Sequence, residues 1–176
     1  MSTETAQVFF TLLAIVAAAT TVSLIGCRLL ASRSAGARTV VAAFSGPALV
    51  LAAVVAATCM AGSLYFSEVA DFVPCTLCWY QRIAMYPLVV ILAIAAVRRD
   101  RDVWRYVVPL AGIGAAISTY HYLVEWFPEA DSGVCKSTVP CTFVWFRELG
   151  FVSLPLMALC GFALIITLVT LPQEEA

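Results

Sequence analysis

Five long apolar segments constrain the fold of this chain more than any other feature of its sequence. A transmembrane helix needs about 20 apolar residues to cross about 30 Å of hydrocarbon. Each segment approaches or exceeds that length. Backbone polar groups in lipid must be satisfied within the segment, so each is predicted to be an α-helix even where it contains a proline. The predicted spans are residues 7–30, 40–66, 79–97, 103–125 and 151–171, and the prolines within them are Pro47, Pro87, Pro109 and Pro155.

The composition supports this fold class, an all-α integral membrane protein in a single domain. Hydrophobic residues make up 62% of the 176 residues and charged residues only 12%. A soluble domain would be roughly half apolar and about a quarter charged. The net charge of −1 shows no bias towards nucleic acid, and no nucleic-acid partner is predicted.

The distribution of arginines predicts the orientation of the chain in the membrane. Short loops rich in Lys and Arg remain in the cytoplasm. One arginine cluster follows the first span and another follows the third, so both loops are predicted to be inside. The loops at 67–78 and 126–150 are then outside, with the amino terminus outside and the carboxyl terminus inside. We expect the first span to be retained, because Glu4 precedes it and Arg28 follows it, unlike in a cleaved signal peptide. The clustered arginines are Arg28, Arg33 and Arg38, then Arg98, Arg99, Arg101 and Arg105.

The chemistry of the chain is predicted to lie in its cysteines, of which there are seven. Cys75 and Cys78 form a CTLC motif where the first outer loop meets the third span, and Cys135 and Cys141 lie in the second outer loop. All four are therefore predicted to be on the oxidising side of the membrane, where disulfides persist. The remaining three lie within spans and are expected to pack as small hydrophobic residues: Cys27, Cys59 and Cys160.

A CxxC motif that opens a helix is suited to redox chemistry. The second cysteine, Cys78, is in the first turn, near unpaired N–H groups and the positive end of the helix dipole, which lower a thiol pKa. Arg82 is one turn deeper on the same face. A buried guanidinium costs on the order of 2.5 kcal/mol or more unless it is paired, and a thiolate or a reduced-quinone oxygen would be a suitable partner. The alternative is that Arg82 snorkels to the interface.

The second cysteine pair has five residues between its members, enough to close a disulfide that another protein can reach. Lys136, beside Cys135, would stabilise a thiolate there. The alternative is an inert loop disulfide. Two pairs on one face suggest a relay in which a soluble dithiol reduces the loop disulfide, the loop dithiol reduces the CxxC disulfide, and electrons pass onward. A lipid-soluble quinone is the predicted acceptor, since the sequence has neither CxxCH nor GxGxxG.

His121 is the only histidine and forms an i, i+4 pair with Glu125 near the outer end of the fourth span. It could donate to a quinone carbonyl or supply a proton, since its pKa is ordinarily near neutral. It could equally be an interfacial side chain satisfied by Glu125. The segment 142–150 either lies along the interface and brings Cys141 towards the CxxC motif, or simply leads into the fifth span.

Four sequence motifs resemble those of one family. The run CTLCWYQR, continuing to Pro87, resembles the quinone-dependent disulfide-bond formation proteins of the DsbB type, and more closely their Gram-positive BdbC relatives. The resemblance extends over about residues 45–171. The other motifs are ISTYHYLVE at 117–125, VPC ending at Cys141, and GFVSLP at 150–155.

This resemblance implies a four-helix bundle in the bacterial cytoplasmic membrane that holds a menaquinone or ubiquinone near the outer surface. It also implies a thioredoxin-fold partner of the DsbA or BdbD type. Cys78 would be the thiolate next to the quinone, and Cys75 would exchange with the loop. The soluble partner would attack Cys135, Cys141 would resolve the exchange, and Arg82 would contact the quinone. The first span is additional to the four helices of the family, and the second outer loop is shorter than in the enterobacterial proteins.

Two other functions are compatible with the same cysteines. Four outer thiolates could hold Zn²⁺ in a non-enzymatic metal-binding membrane protein, since CxxC is a common half-site. An oxidising compartment, however, favours disulfides over free thiolates. Export of electrons through the membrane would instead need cysteines towards the cytoplasm, where only Cys27 is available.

Overall fold

The structure, a computed structural model, describes residues 2–131, 133–135 and 139–172. These residues form six α-helices and two short 3₁₀ helices. Four helices are long and apolar enough to cross a membrane, and the last is shorter but also apolar. The predicted all-α membrane bundle is therefore confirmed. The helices are α1 (Thr3–Leu30), α2 (Ala35–Ser45), α3 (Ala48–Glu68), α4 (Thr76–Arg98), α5 (Trp104–Trp126) and α6 (Leu154–Val169), with 3₁₀ turns at Arg101–Val103 and Pro128–Ala130.

The predicted helix at 40–66 is divided in the structure, and this part of the prediction was wrong. α2 ends at Ser45 and α3 begins at Ala48. Pro47 has no N–H to donate and its ring obstructs the carbonyl four residues earlier, and both effects favour a break at this point. The Arg101 guanidinium donates hydrogen bonds to the carbonyl oxygens of Ser45, at 2.6 Å, and Gly46, at 3.0 Å. Carbonyls released at the break are thereby satisfied.

The other prolines have milder effects, according to their positions. Pro87 and Pro109 lie inside α4 and α5, which continue through them. Pro155 lies at the start of α6, where a missing N–H costs nothing. The predicted span at 151–171 therefore begins later, at Leu154. It is preceded by a tight turn in which Glu148 pairs with Val152.

The helices α3 to α6 form an antiparallel bundle, and α1 packs along α6. Leu88, Leu92, Phe162 and Ile165 are among the fully buried side chains of its core. α5 and α6 approach closely at Gly114, where a Cβ atom would overlap the Phe162 ring. Small residues at such crossings allow membrane helices to pack tightly.

The two ends of the bundle differ in chemistry. α4 and α6 begin, and α3 and α5 end, at what we call the cysteine end, which carries Cys75. At the opposite end, the arginine end, Arg28 donates to the Thr170 carbonyl and Arg101 to the break between α2 and α3. Cations at helix carboxyl termini are favourable because they meet unsatisfied carbonyls and the negative dipole end.

Candidate functional site

Cys75 is the N-cap of α4. Its backbone is extended, with φ of −74° and ψ of 174°, and its Sγ accepts a hydrogen bond from the backbone N–H of Cys78 at 3.3 Å. This is the bond that a capping serine or aspartate side chain ordinarily accepts. The CxxC spacing thus makes the first cysteine cap the turn that contains the second.

The surroundings of Cys75 stabilise a thiolate. The Cys78 thiol lies with its Sγ 2.8 Å from the Cys75 Sγ, and His121 Nε2 lies 3.7 Å from it. The hydrogen bond from the Cys78 thiol lowers the pKa of Cys75 most, and the hydrogen bond with His121 adds to the effect. Burial acts in the opposite direction, and the pKa of Cys75 falls from 9.0 to about 4. From the sequence, this helix-terminus effect is expected at Cys78, whereas in the structure the Cys78 N–H donates to the Cys75 Sγ.

His121 has a further contact that its sequence does not predict, with the Gln81 side chain of α4. Its Nδ1 lies 3.2 Å from the Nε2 of Gln81, and both side chains are buried. An amide nitrogen only donates, so Gln81 donates to Nδ1 in this arrangement, and Nε2 is the ring nitrogen that faces Cys75. Gln81 stands inside the CTLCWYQR run, but nothing in the sequence indicates that it faces α5.

Glu125 lies beside this group but has partners of its own. Its carboxylate accepts a hydrogen bond from the Ser153 hydroxyl at the start of α6. Both ring nitrogens of His121 are engaged by Cys75 and Gln81. Glu125 and His121, with both cysteines of the CxxC motif, line a small cleft. The structure therefore brings together the predicted i, i+4 pair, but each side chain has its nearest hydrogen-bond partners elsewhere.

Cys135 and Cys141 form a disulfide. Cys141 is fully buried, whereas Cys135 is partly exposed. The Cys141 Sγ, the Cys75 Sγ and a ring nitrogen of His121 lie within 4.8 Å of one another. Such a cluster has the spacing of a metal site, but a disulfide sulfur is not a thiolate ligand. The pairing leaves two of the four cysteines free, which does not favour the predicted four-cysteine zinc site. Lys136 lies outside the described residues.

Aromatic stacking holds the loop that carries Cys141 against the rest of the cysteine end. Trp145 stacks on Phe72, with ring centroids 4.5 Å apart and an angle of 8° between the planes. Phe146 packs on Phe66 of α3 at 5.4 Å. Of the two alternatives for segment 142–150, the structure favours the one that brings Cys141 to the CxxC motif.

An amphipathic cavity of about 340 Å³ opens on the other side of Cys78. Cys78, Gln81 and Arg82 line one end of it, and most of the remaining wall is apolar. The Arg82 guanidinium donates to the Ser63 carbonyl at 3.0 Å and lies 5.2 Å from the Trp79 ring centroid. Arg82 is thus one turn below Cys78, as predicted, and contacts the cavity. His121 and Glu125 are not among its described lining residues.

The three cysteines within the helices have apolar surroundings. Cys27 and Cys59 pack against the main hydrophobic core, and Cys59 lies beside Gly161, where α3 and α6 approach closely. Cys27, Cys59 and Cys160 are all free thiols. Their packing is that of small hydrophobic residues.

Comparison with known proteins identifies the family. Residues 45–171 match the family model described as disulfide bond formation protein DsbB. Disulfide bond formation protein C of Bacillus subtilis (strain 168) is 51% identical over 124 residues, which cover 69% of this chain and 89% of the relative. A probable disulfide formation protein of Oceanobacillus iheyensis is 46% identical over 119 residues, 66% of this chain and 81% of the relative.

A third relative gives the same result. Probable disulfide formation protein C 2 of Bacillus anthracis is 42% identical over 125 residues, 71% of this chain and 89% of the relative. No solved structure matches the chain significantly. The matched segment contains both cysteine pairs and begins just before α3, so α1 and most of α2 lie outside it. The resemblance seen in the motifs is confirmed, and the chain belongs to the DsbB family of disulfide bond formation proteins.

Proposed function

We propose that this protein is a membrane thiol–disulfide oxidoreductase that reoxidises an extracytoplasmic thioredoxin-fold dithiol protein and passes the electrons to a membrane quinone. Membership of the DsbB family and the names of the relatives, which are disulfide formation proteins, support thiol oxidation. The observation that carries the proposal is the proximity of the sulfur atoms. The Cys75 Sγ lies within 4.8 Å of the Cys141 Sγ and 2.8 Å from the Sγ of Cys78, which lines the cavity.

The first exchange takes place at the loop disulfide. A thiolate of the soluble partner attacks Cys135, the more exposed sulfur, and Cys141 leaves as a thiolate. The partner's second thiol then attacks the mixed disulfide, which releases the oxidised partner and leaves Cys135 reduced. Two electrons and two protons have moved from the partner to the loop pair.

The second exchange takes place between the two pairs of this chain. The Cys141 thiolate attacks Cys75 of an oxidised CxxC motif and Cys78 leaves as a thiolate beside Arg82. Cys135 then attacks Cys141, which re-forms the loop disulfide and releases Cys75. A thiol of low pKa is a good leaving group, so the cap position and His121 favour this release. The resulting state, with an oxidised loop and a reduced CxxC motif, is the one seen in the structure.

The cavity has the chemistry required for a quinone. Its polar end offers the Arg82 guanidinium, the Gln81 amide and the Ser63–Tyr86 hydroxyl pair, whose oxygens lie 3.2 Å apart. The remainder is apolar, as a hydrocarbon tail requires. A bound quinone would supply the acceptor for the two electrons and two protons of the reduced CxxC pair. Arg82 would hold the ring at Cys78, and Cys78 would carry the reacting sulfur.

The proposed location is the bacterial cytoplasmic membrane, with the cysteine end outside. Arg28 and Arg101 lie at the opposite end, where positively charged loops would be retained in the cytoplasm. This orientation places the loop disulfide in an oxidising compartment. It also exposes Cys135 to a soluble partner.

Anaerobic mixing of purified protein with a reduced thioredoxin-fold partner and a quinone tests the proposal. Quinone reduction, followed by absorbance, should require Cys78 and Cys135 and should be lost in Cys78→Ser and Cys135→Ser. Cys27→Ser, at the arginine end, is the matched control and should retain full turnover. Quinone reduction that persists in Cys78→Ser would refute the relay. In a separate measurement on the purified protein, stoichiometric bound zinc with four protected thiols would favour the metal-binding alternative.

A further inference from the structure

The helix outside the family-matched segment forms one wall of the cavity. α1 contributes Phe10, Leu13, Ala14, Val16 and Ala17 to the lining. These residues follow a spacing of three or four, which places them on one face of the helix. The helices α3, α4 and α6, together with loop residues 72–74 and Trp145, provide the other walls. The four-helix segment shared with the family therefore accounts for only part of this enclosure.

α1 is fixed at the upper part of the cavity by an aromatic wedge. The Phe10 ring lies against Gly62 of α3, where an added Cβ would come within 2.8 Å of it. The same ring packs on Phe66 at a centroid distance of 5.6 Å. Phe66 in turn stacks on Phe72, and Phe72 stacks on Trp145, in the loop that contains Cys141. A continuous series of aromatic ring contacts thus connects α1 to the segment that positions Cys141.

Below this wedge, the less exposed side chains that α1 presents to the cavity are small, whereas Leu13 and Val16 line it from more exposed positions. Ala14 and Ala17 lie one and two turns further along the helix, and α1 is held there by its packing along α6. The polar end of the cavity, at Cys78 and Arg82, lies at the cysteine end, so this alanine face borders its deeper, apolar part. The distance along α1 from Phe10 to Ala17 is about 10 Å at 1.5 Å per residue.

We infer that α1 is a substrate-binding helix whose Ala14 and Ala17 face encloses the hydrocarbon tail of the quinone. The inference rests on the proposed function, because it assigns the tail of the same quinone whose ring would lie at Cys78. The apolar lining suits a hydrocarbon chain, and the small side chains leave the room that it occupies. Phe10 closes the cavity above the tail. α1 therefore determines the preference of the protein for the quinone tail but does not contact the Cys78 sulfur.

Binding measurements on the full-length protein in phosphatidylcholine nanodiscs test this inference. The probes are a quinone with a polyprenyl tail and the same quinone ring without a tail, and the readout is quenching of tryptophan fluorescence. Ala17→Phe fills the apolar part of the cavity and should weaken binding of the tailed quinone by about tenfold. The tail-less ring should bind as it does to the unaltered protein.

Ala19→Phe is the matched control, because Ala19 is on the same helix but exposed. It should leave the affinity for both quinones unchanged. Equal affinity of folded Ala17→Phe for the tailed quinone would overturn the inference while leaving the proposed function intact. Failure of the unaltered protein to bind either quinone would instead overturn the proposed function and the inference together.

A second measurement needs no variant and so does not depend on the folding of Ala17→Phe. A quinone with a diazirine at the end of its tail should crosslink to α1 between residues 10 and 17 of the unaltered protein. Crosslinks confined to α3, α4 and α6 would contradict the inference. Loss of the α1 crosslink in excess phospholipid, with quinone affinity unchanged, would assign the alanine face to a lipid acyl chain and would also overturn it.

Discussion

Cys75 and Cys78 are three residues apart, yet their sulfur atoms have different surroundings. Cys75 caps α4 and contacts His121, whereas Cys78 lines the cavity above Arg82. The motif alone does not distinguish them, since both lie at the start of a helix. The difference arises from α5, which supplies His121, and from the loop, which supplies Cys141.

Replacing His121 should make Cys75 less acidic. In the reduced protein the pKa of Cys75 is lowered to about 4, first by Cys78 and then by His121. His121→Ala removes the second contribution, so the pKa should rise towards the ordinary value of a cysteine thiol. The pH dependence of Cys75 alkylation, resolved by peptide mass spectrometry, should therefore shift to higher pH. Thr119→Ala, on the exposed face of the same helix, should show no shift, and an unshifted profile in His121→Ala would remove the histidine from this role.

The partner should form its mixed disulfide with Cys135. Cys141 is fully buried and Cys135 is partly exposed, and thiol exchange requires access to the sulfur. A thioredoxin-fold partner that lacks its second cysteine should stop at the covalent intermediate. Peptide mapping should find the crosslink at Cys135, and a crosslink at Cys141 would show that the loop opens before exchange.

The break between α2 and α3 shows what a hydropathy pattern leaves out. The segment 40–66 is apolar throughout, but apolar content does not register the missing N–H of Pro47. Pro87 and Pro109 are as prominent in the sequence, and the helices continue through them. At the break beside Pro47, Arg101, which is distant in sequence, donates to the carbonyls of Ser45 and Gly46.

The crossing of α5 and α6 gives a prediction with a control on the same helix. In Gly114→Ala the new Cβ would overlap the Phe162 ring, whereas at Gly112 there is open space. Gly114→Ala should lower the free energy of unfolding by about 1–3 kcal/mol. Gly112→Ala should leave it unchanged or raise it by up to about 1 kcal/mol, because alanine favours a helix. Thermal denaturation in detergent measures both, and equal stability of the two variants would contradict the close packing.

The orientation of the whole protein can be tested with fluorescent fusions. Green fluorescent protein matures in the cytoplasm but not after export through the general secretory route. A fusion after residue 176 should therefore fluoresce, whereas a fusion before residue 1 should not, if the amino terminus is outside. The reverse pattern would place the cysteines in the cytoplasm and remove the basis for a stable loop disulfide.

Much of the molecule could be predicted because lipid permits few backbone structures. Apolar segments of sufficient length become helices, and the CTLC motif marks where α4 begins. Contacts between distant segments could not be predicted in this way. The Gln81–His121 pair, the Phe72–Trp145 stack and the place of α1 beside the cavity all depend on tertiary packing, for which a single sequence carries no periodic signal.

Because Cys75 caps a helix and is also proposed to exchange disulfides, an alanine substitution would remove both the cap and the reacting thiol. Serine is among the preferred residues at an N-cap, and its replacement by alanine costs about 0.5–2 kcal/mol. Cys75→Ser should therefore abolish electron transfer while preserving the start of α4, and Cys75→Ala should abolish transfer and also melt at a lower temperature. Indistinguishable melting of the two variants would mean that the Cys78 N–H contact contributes nothing to the helix. The near-isosteric serine variant is accordingly the appropriate inactive reference for trapping, binding and structural work on this protein.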